Sequence, residues 1–115
     1  MPVTFTLNLV NNTGVILNRA ALVGSQGSAA PANLAVNGAG VTTIIVPDGV
    51  APVPGIGLLR YSDANNNLWT VSLAVPVAGG GAPNAAGAFA GAGGHATAVA
   101  AAGPPPPYVY NVIYT

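Results

Sequence analysis

The chain has no cysteine, no lysine and no glutamate, and charged residues make up 3% of its 115 positions. Without thiols it can form neither disulfide staples nor thiolate metal sites. At this length one domain, residues 1–115, buries enough core to fold without them. An ordinary soluble domain carries about 25% charged residues. Here the formal charges are Arg19, Asp48, Arg60 and Asp63, and they cancel. Two arginines far apart in sequence do not make the clustered positive surface that neutralises a phosphate backbone, so nucleic acid is a poor partner. An anionic membrane surface is disfavoured for the same reason.

Long hydrophobic runs are also missing. Apolar residues reach 51%, but they are mostly Ala and Val broken by Gly and Pro. The stretch 85–103 contains His95 and glycines at 87, 91, 93 and 94, and it is bracketed by Pro83 and Pro104. No transmembrane segment is therefore expected. Met1-Pro2-Val3-Thr4 lacks a basic region and its apolar positions alternate, so no secretory signal peptide is visible. The compartment stays open, with an extracellular or cell-surface setting preferred.

What is present is alternation. Val3, Phe5, Leu7 and Leu9 alternate with Thr4, Thr6 and Asn8, which is the two-residue period of a strand with one buried face. Asn11-Asn12-Thr13-Gly14 supplies turn chemistry, so strands at 3–10 and 15–23 are read as an N-terminal hairpin. Residues 24–30 read as a small-residue loop and 31–36 as a short edge strand. Val41-Thr42-Thr43-Ile44-Ile45-Val46 is β-branched throughout and fits a strand, because such side chains are stiff at χ1.

Residues 50–57 form a Pro- and Gly-punctuated loop leading to a second hairpin. Its arms are 58–62 and 68–75, joined by Asp63-Ala64-Asn65-Asn66-Asn67. Trp69, Val71, Leu73 and Val75 share its inner face, and Trp69 is its core anchor. Alanine favours helix over 85–102, but each interior glycine costs about 1 kcal/mol there. Strands at 85–90 and 95–102, turning at Gly93-Gly94, are preferred. Pro104 to Pro107 should form a short polyproline II spacer before a last strand. In that strand Tyr108, Tyr110, Val112 and Tyr114 face one way and Val109, Asn111 and Ile113 the other, so both faces should be covered.

Eight to nine short strands without a helix predict an all-β fold, an antiparallel β-sandwich or jelly roll. Catalytic chemistry has little to draw on. The one imidazole, His95, could join Ser25, Ser28, Ser62 or Ser72 and Asp48 or Asp63 in a nucleophilic set, but no G-x-S-x-G elbow is present. A turn histidine is the simpler reading, and no enzymatic activity is expected. Asp63, Asn65 and Asn67 have the alternate spacing of an oxygen-ligand loop, but one carboxylate is weak charge for calcium. Turn capping by Asp63 is the better account, and no cofactor or metal is expected. Asn11-Asn12-Thr13 is a glycosylation sequon that a hairpin turn explains equally well. The run Pro104 to Tyr108 has the composition of a WW-type ligand, but the tail alternates like a strand.

Three segments carry a family resemblance. L-V-N-N-T-G-V-I-L-N-R-A-A-L-V-G at 9–24, G-I-G-L-L-R-Y-S-D at 55–63 and W-T-V-S-L-A-V-P-V-A-G-G at 69–80 together resemble the layout of aegerolysins. The resemblance implies a small β-sandwich that binds membrane lipids and recruits pore-forming partners. That family's tryptophan-rich segment is replaced here by Ala74-Val75-Pro76-Val77, and its acidic character is absent. A lipid- or ligand-binding module is thus one expectation. The preferred one follows from missing charge. A neutral surface lacks the repulsion that keeps copies apart, so the chain is expected to be a self-assembling structural subunit of a filament, tube or ordered layer. Its partner would be itself, and its candidate assembly strands are the terminal ones, with Val3, Phe5, Leu7 and Leu9 on the first and Tyr108, Tyr110, Val112 and Tyr114 on the last.

Overall fold

Alternation in the sequence becomes alternation in burial. A computed structural model describes residues 2–77 and 79–115. In its first strand, β1 (Val3–Asn11), Phe5, Leu7, Leu9 and Asn11 are buried while the residues between them are not. Nine further strands follow: β2 (Leu17–Val23), β3 (Ser25–Ser28), β4 (Asn33–Leu34), β5 (Ala39–Val46), β6 (Gly55–Ser62), β7 (Leu68–Val75), β8 (Asn84–Ala90), β9 (Thr97–Ala101) and β10 (Tyr108–Tyr114). No helix occurs among the described residues, and none is long and apolar enough to cross a membrane.

The strands form two five-stranded sheets, ordered β3-β5-β1-β10-β9 and β4-β2-β6-β7-β8. They pack as a β-sandwich around Phe5, Leu7, Leu9, Ile44, Val46 and Val112 from the first sheet, and Leu17, Leu59, Tyr61, Trp69, Val71 and Leu73 from the second. Most pairings are antiparallel, and the exception joins the first strand to the last. β1 runs parallel to β10 from Phe5 opposite Tyr108 to Asn11 opposite Tyr114.

Several sequence expectations need correction. β1 and β2 are not a hairpin, because they lie in different sheets. Residues 12–16 cross the sandwich as an arch, with Gly14 at φ +84° and β2 beginning only at Leu17. The side chain that holds this arch is Asn11, which is fully buried. Its Nδ2 donates to the carbonyls of Val15 (2.7 Å), Leu34 (3.1 Å) and Ala35 (3.0 Å). Its Oδ1 accepts from Thr13 N (3.0 Å) and Thr13 Oγ1 (2.6 Å). A buried amide satisfied at both ends thus replaces the ladder that a hairpin would have supplied.

The loop read at 24–30 contains β3, which pairs with β5 across a bulge between Gln26 and Ser28. Its small polar residues carry no period-2 signal, since backbone pairing rather than side-chain burial makes it a strand. β6 starts at Gly55, inside the stretch read as loop. A Cβ at Gly55 would collide with the Pro47 carbonyl, so the close approach requires glycine. The 58–75 hairpin holds as β6 and β7, in register from Gly55 opposite Val75 to Ser62 opposite Leu68. Residues 84–90 and 97–101 are strands, but they belong to opposite sheets, so Gly93-Gly94 turns no hairpin.

The proline run is not a polyproline II spacer. β9 and β10 are antiparallel neighbours, so residues 102–107 must reverse the chain, and the Pro105-Pro106 and Pro106-Pro107 bonds are cis. Nor are both faces of β10 covered. Val112 and Tyr114 are buried, while Asn111 and Ile113 are exposed.

Replacing Asn11 by Ala removes the side-chain donor to the Leu34 carbonyl in the buried interior. It also removes one of two donors each from Val15 O and Ala35 O, which keep Thr13 Oγ1 and Gly38 N, and an orphaned buried group costs about 1–3 kcal/mol. A loss of about 3 kcal/mol in urea unfolding is expected for Asn11→Ala. Asn11→Asp should cost at least as much, because it turns a carboxylate oxygen toward those carbonyls. Unfolding midpoints within error of the unsubstituted chain would show that the arch is held by something else.

Candidate functional site

The few ionisable side chains are engaged in holding the fold. Arg19 Nη1 donates to the Ala30 carbonyl (2.8 Å) and Tyr61 Oη to the adjacent Pro31 carbonyl (2.8 Å), so the two together pin the β3–β4 connection to β2 and β6. Arg60 Nε donates to Thr70 Oγ1 across the β6–β7 ladder (3.0 Å). Asp63 Oδ1 accepts from Asn65 N (2.9 Å) and Asn67 N (3.0 Å), and its Oδ2 accepts from Asn67 Nδ2 (2.8 Å). These bonds, led by the Asn67 side chain, hold its carboxyl below the usual value. The carboxylate thus caps the turn, both of its oxygens accepting from turn N–H groups. Asn67 Oδ1 is also engaged, by Ala92 N (3.0 Å). No cluster of metal-ligating side chains occurs among the described residues.

His95 belongs to an aromatic group with Trp69 and Phe89. Ring centroids lie 5.2 Å apart for Trp69 and His95, and 5.1 Å for Trp69 and Phe89 and for Phe89 and His95. The Thr115 carbonyl accepts from Trp69 Nε1 (3.1 Å) and Ala96 N (2.9 Å), and His95 Nδ1 lies 3.2 Å from it. The imidazole thus tethers the chain beyond β10, and no serine takes part in this contact.

The predicted core anchor, Trp69, is fully buried. The terminal-strand residues singled out for assembly face inward. Phe5, Leu7, Leu9, Val112 and Tyr114 are buried, and Val3, Tyr108 and Tyr110 pack against the same core. The Phe5 ring lies 5.8 Å from Tyr108 and 6.1 Å from Tyr110, and Tyr61 lies 5.6 Å from Tyr114. Burial raises the Tyr61 phenol to about 12 and lifts that of Tyr114 further. In the chain by itself β1 and β10 are interior strands, each flanked on both sides.

Three uncharged surfaces remain. The first is the outer face of the β3-β5-β1-β10-β9 sheet. Thr6 lies beside Thr43 and Val109 there, Asn8 beside Val41 and Asn111, and Val10 beside Ala39 and Ile113. Asn8 Nδ2 donates to Asn111 Oδ1 (3.1 Å) along one of these rows. The second is the side of the sandwich formed by β8 and β9. These edge strands approach each other where Thr97 Oγ1 donates to the Ala88 carbonyl (2.7 Å) and Gly87 leaves room for the Thr97 backbone.

The third is one end of the molecule. Strand directions place every proline except Pro31 at the end where β1 and β10 begin. Val50 (76% exposed), Val53 (64%) and Ile56 (62%) stand out there, with Val23 beside Ile56. A depression of about 390 Å³ opens among Pro2, Val23, Ile45, Pro47 and Ile56. The opposite end holds the Asn-rich turns at 11–14 and 63–67. Sequence reasoning identified the neutral residues but not these surfaces, because which neutral residues share a surface depends on which sheet each strand joins.

If Trp69 is an internal anchor, Trp69→Ala should cost about 3–5 kcal/mol of folding stability. Trp69→Phe, which loses the bond to Thr115 and part of the buried ring volume, should cost less, about 1–3 kcal/mol. Chemical denaturation measures both, and a Trp69→Ala protein of unchanged stability would mark the aromatic group as a site instead.

Comparison of the chain with protein-family models, with curated proteins and with solved structures finds no match in any of the three.

Proposed function

We propose that this chain is a self-assembling structural subunit, of a filament, tube or ordered layer, whose copies meet through uncharged surfaces. The observation that carries this reading is the outer face of the β3-β5-β1-β10-β9 sheet, whose five strands contain no Arg, Lys, His, Asp or Glu. Arg19 and Arg60 lie on strands of the other sheet, and Asp48 and Asp63 lie in end loops. A surface of this kind has no like-charge repulsion to separate copies and no desolvation cost for buried ions. β1 and β10 enter the reading through their outward residues, Asn8, Val10, Asn111 and Ile113, while their inward residues serve the core.

Assembly of this type rests on apolar contact and hydrogen bonding, which ionic screening hardly touches. Light scattering over rising protein concentration should show growth to large species. Raising salt from about 0.05 to 1 M should leave their size unchanged or increased. A stable monomer at high concentration, or dissolution by moderate salt, would sink the proposal.

A second reading, a lipid-facing module of the aegerolysin kind, is favoured by the exposed Val50, Val53 and Ile56 at the proline-rich end. It requires co-sedimentation with phosphatidylcholine, sphingomyelin or sterol vesicles that is lost in Val50→Ser/Val53→Ser protein. Failure to sediment with any of these vesicles removes it.

A further inference from the structure

Resting on the assembly reading, we propose that a second copy of this chain docks edge to edge on β8, antiparallel, about a twofold axis at Gly87. Each sheet has two outer strands, and natural edges are protected by shortness, bulges, charge or proline. β4 is two residues long, and β3 is four residues long and bulged. The β3–β4 side is further tied by Arg19 Nη1 to Ala30 O and by Ala30 N to Gln26 Oε1 (2.8 Å each). β9 has five residues, and Thr97 at its start is buried.

β8 has none of these devices. It pairs with β7 over seven residues without a register shift, from Asn84 opposite Ala74 to Ala90 opposite Leu68. It contains no proline and no charge, and it has no strand partner on its other side. An antiparallel edge strand leaves half of its N–H and C=O groups directed outward, here those of Ala85, Gly87 and Phe89, which alternate with the residues bonded to β7.

The sequence of β8 identifies the occupant. A twofold at Gly87 sets Ala86 against Ala88, Ala85 against Phe89 and Asn84 against Ala90 of the other copy. Every pair combines neutral side chains, and none sets two bulky groups together. The size of the molecule points to a side rather than an end. Its extents are 41 × 23 × 22 Å, so a contact along a lateral side can run with the length of the molecule, whereas a contact at an end is confined to its narrow cross-section. Pairing through β8 also brings the two β9 edges together and joins two five-stranded sheets into one. A twofold contact closes at two copies, so this dimer is the building unit and growth uses another uncharged surface.

Sedimentation velocity on the intact chain and three variants tests this. Ala85→Pro removes an edge N–H, Ala86→Lys adds a charge at the exposed edge, and Ala64→Lys adds the same charge in the exposed 63–67 turn at the end of the molecule. The expected result is association of the unsubstituted chain, with dimer affinity at least about tenfold weaker in the Ala85→Pro and Ala86→Lys variants. Circular dichroism should show their β-structure retained, and Ala64→Lys should still dimerise. Should Ala85→Pro unfold, Ala86→Lys decides. Undiminished dimerisation of Ala86→Lys overturns the edge contact while leaving assembly standing. Equal dissociation by Ala64→Lys also overturns it, since any added charge would then suffice. A monomeric unsubstituted chain overturns both this contact and the assembly reading.

Discussion

The parallel pairing of β1 with β10 is the constraint from which the rest of the arrangement follows. It places the first and last strands side by side in the middle of one sheet, so the sheet cannot close until the final strand is present. The lower end of this seam is secured by Asn12 N donating to Tyr114 O (2.8 Å) and Asn11 N donating to Gly38 O (2.9 Å), directly beside the buried Asn11 amide. The same few residues therefore join the two terminal strands, the crossing arch and the β4–β5 loop. Contacts so distant in sequence impose a large loop-closure entropy, and such topologies fold slowly. Once formed, the pairing leaves neither terminal strand with an open edge.

Few charges do not mean that polar chemistry is absent from the fold. Asn11, Asp63, Asn67, Arg19 and Tyr61 each satisfy backbone groups that the loops would otherwise leave unpaired. Burying a backbone donor or acceptor without a partner is costly, so a chain with few ionic groups places them where carbonyls and N–H groups converge. The consequence is a division of labour. Polar side chains serve the loops and interior, and the outer face of the β3-β5-β1-β10-β9 sheet is left to Thr, Asn, Val and Ile.

The fold class was legible because alternation is a local signal. Phe5, Leu7 and Leu9, the β-branched run at 41–46 and the 58–75 hairpin each state their own structure, and the all-β sandwich follows from counting such segments. Asp63 as a turn cap and the burial of Trp69 were legible for the same reason. Sheet membership was not. Asn11-Asn12-Thr13-Gly14 has the composition of a hairpin turn, and only the contacts of Asn11 with Val15, Leu34 and Ala35 make it an arch. β3 was hidden because Ser25-Gln26-Gly27-Ser28 pairs through its backbone. The terminal strands were read as assembly strands because alternation marks a strand without saying what lies beside it.

That distinction bears on the proposed contact between copies. The residues most apolar by sequence, on β1 and β10, are the ones the core consumes, so hydrophobicity along the chain is a poor guide to an assembly surface here. What remains outside the core on the sheet faces and the β8 edge is mostly neutral, with few large apolar side chains. Such a surface gains specificity from the geometry of unpaired backbone rather than from side-chain anchors. Ala and Gly suit this role, because small side chains let two strand edges approach without steric selection against a second copy. The composition of 84–103, which looks featureless when read as sequence, acquires meaning only where the fold sets β8 at the rim of its sheet.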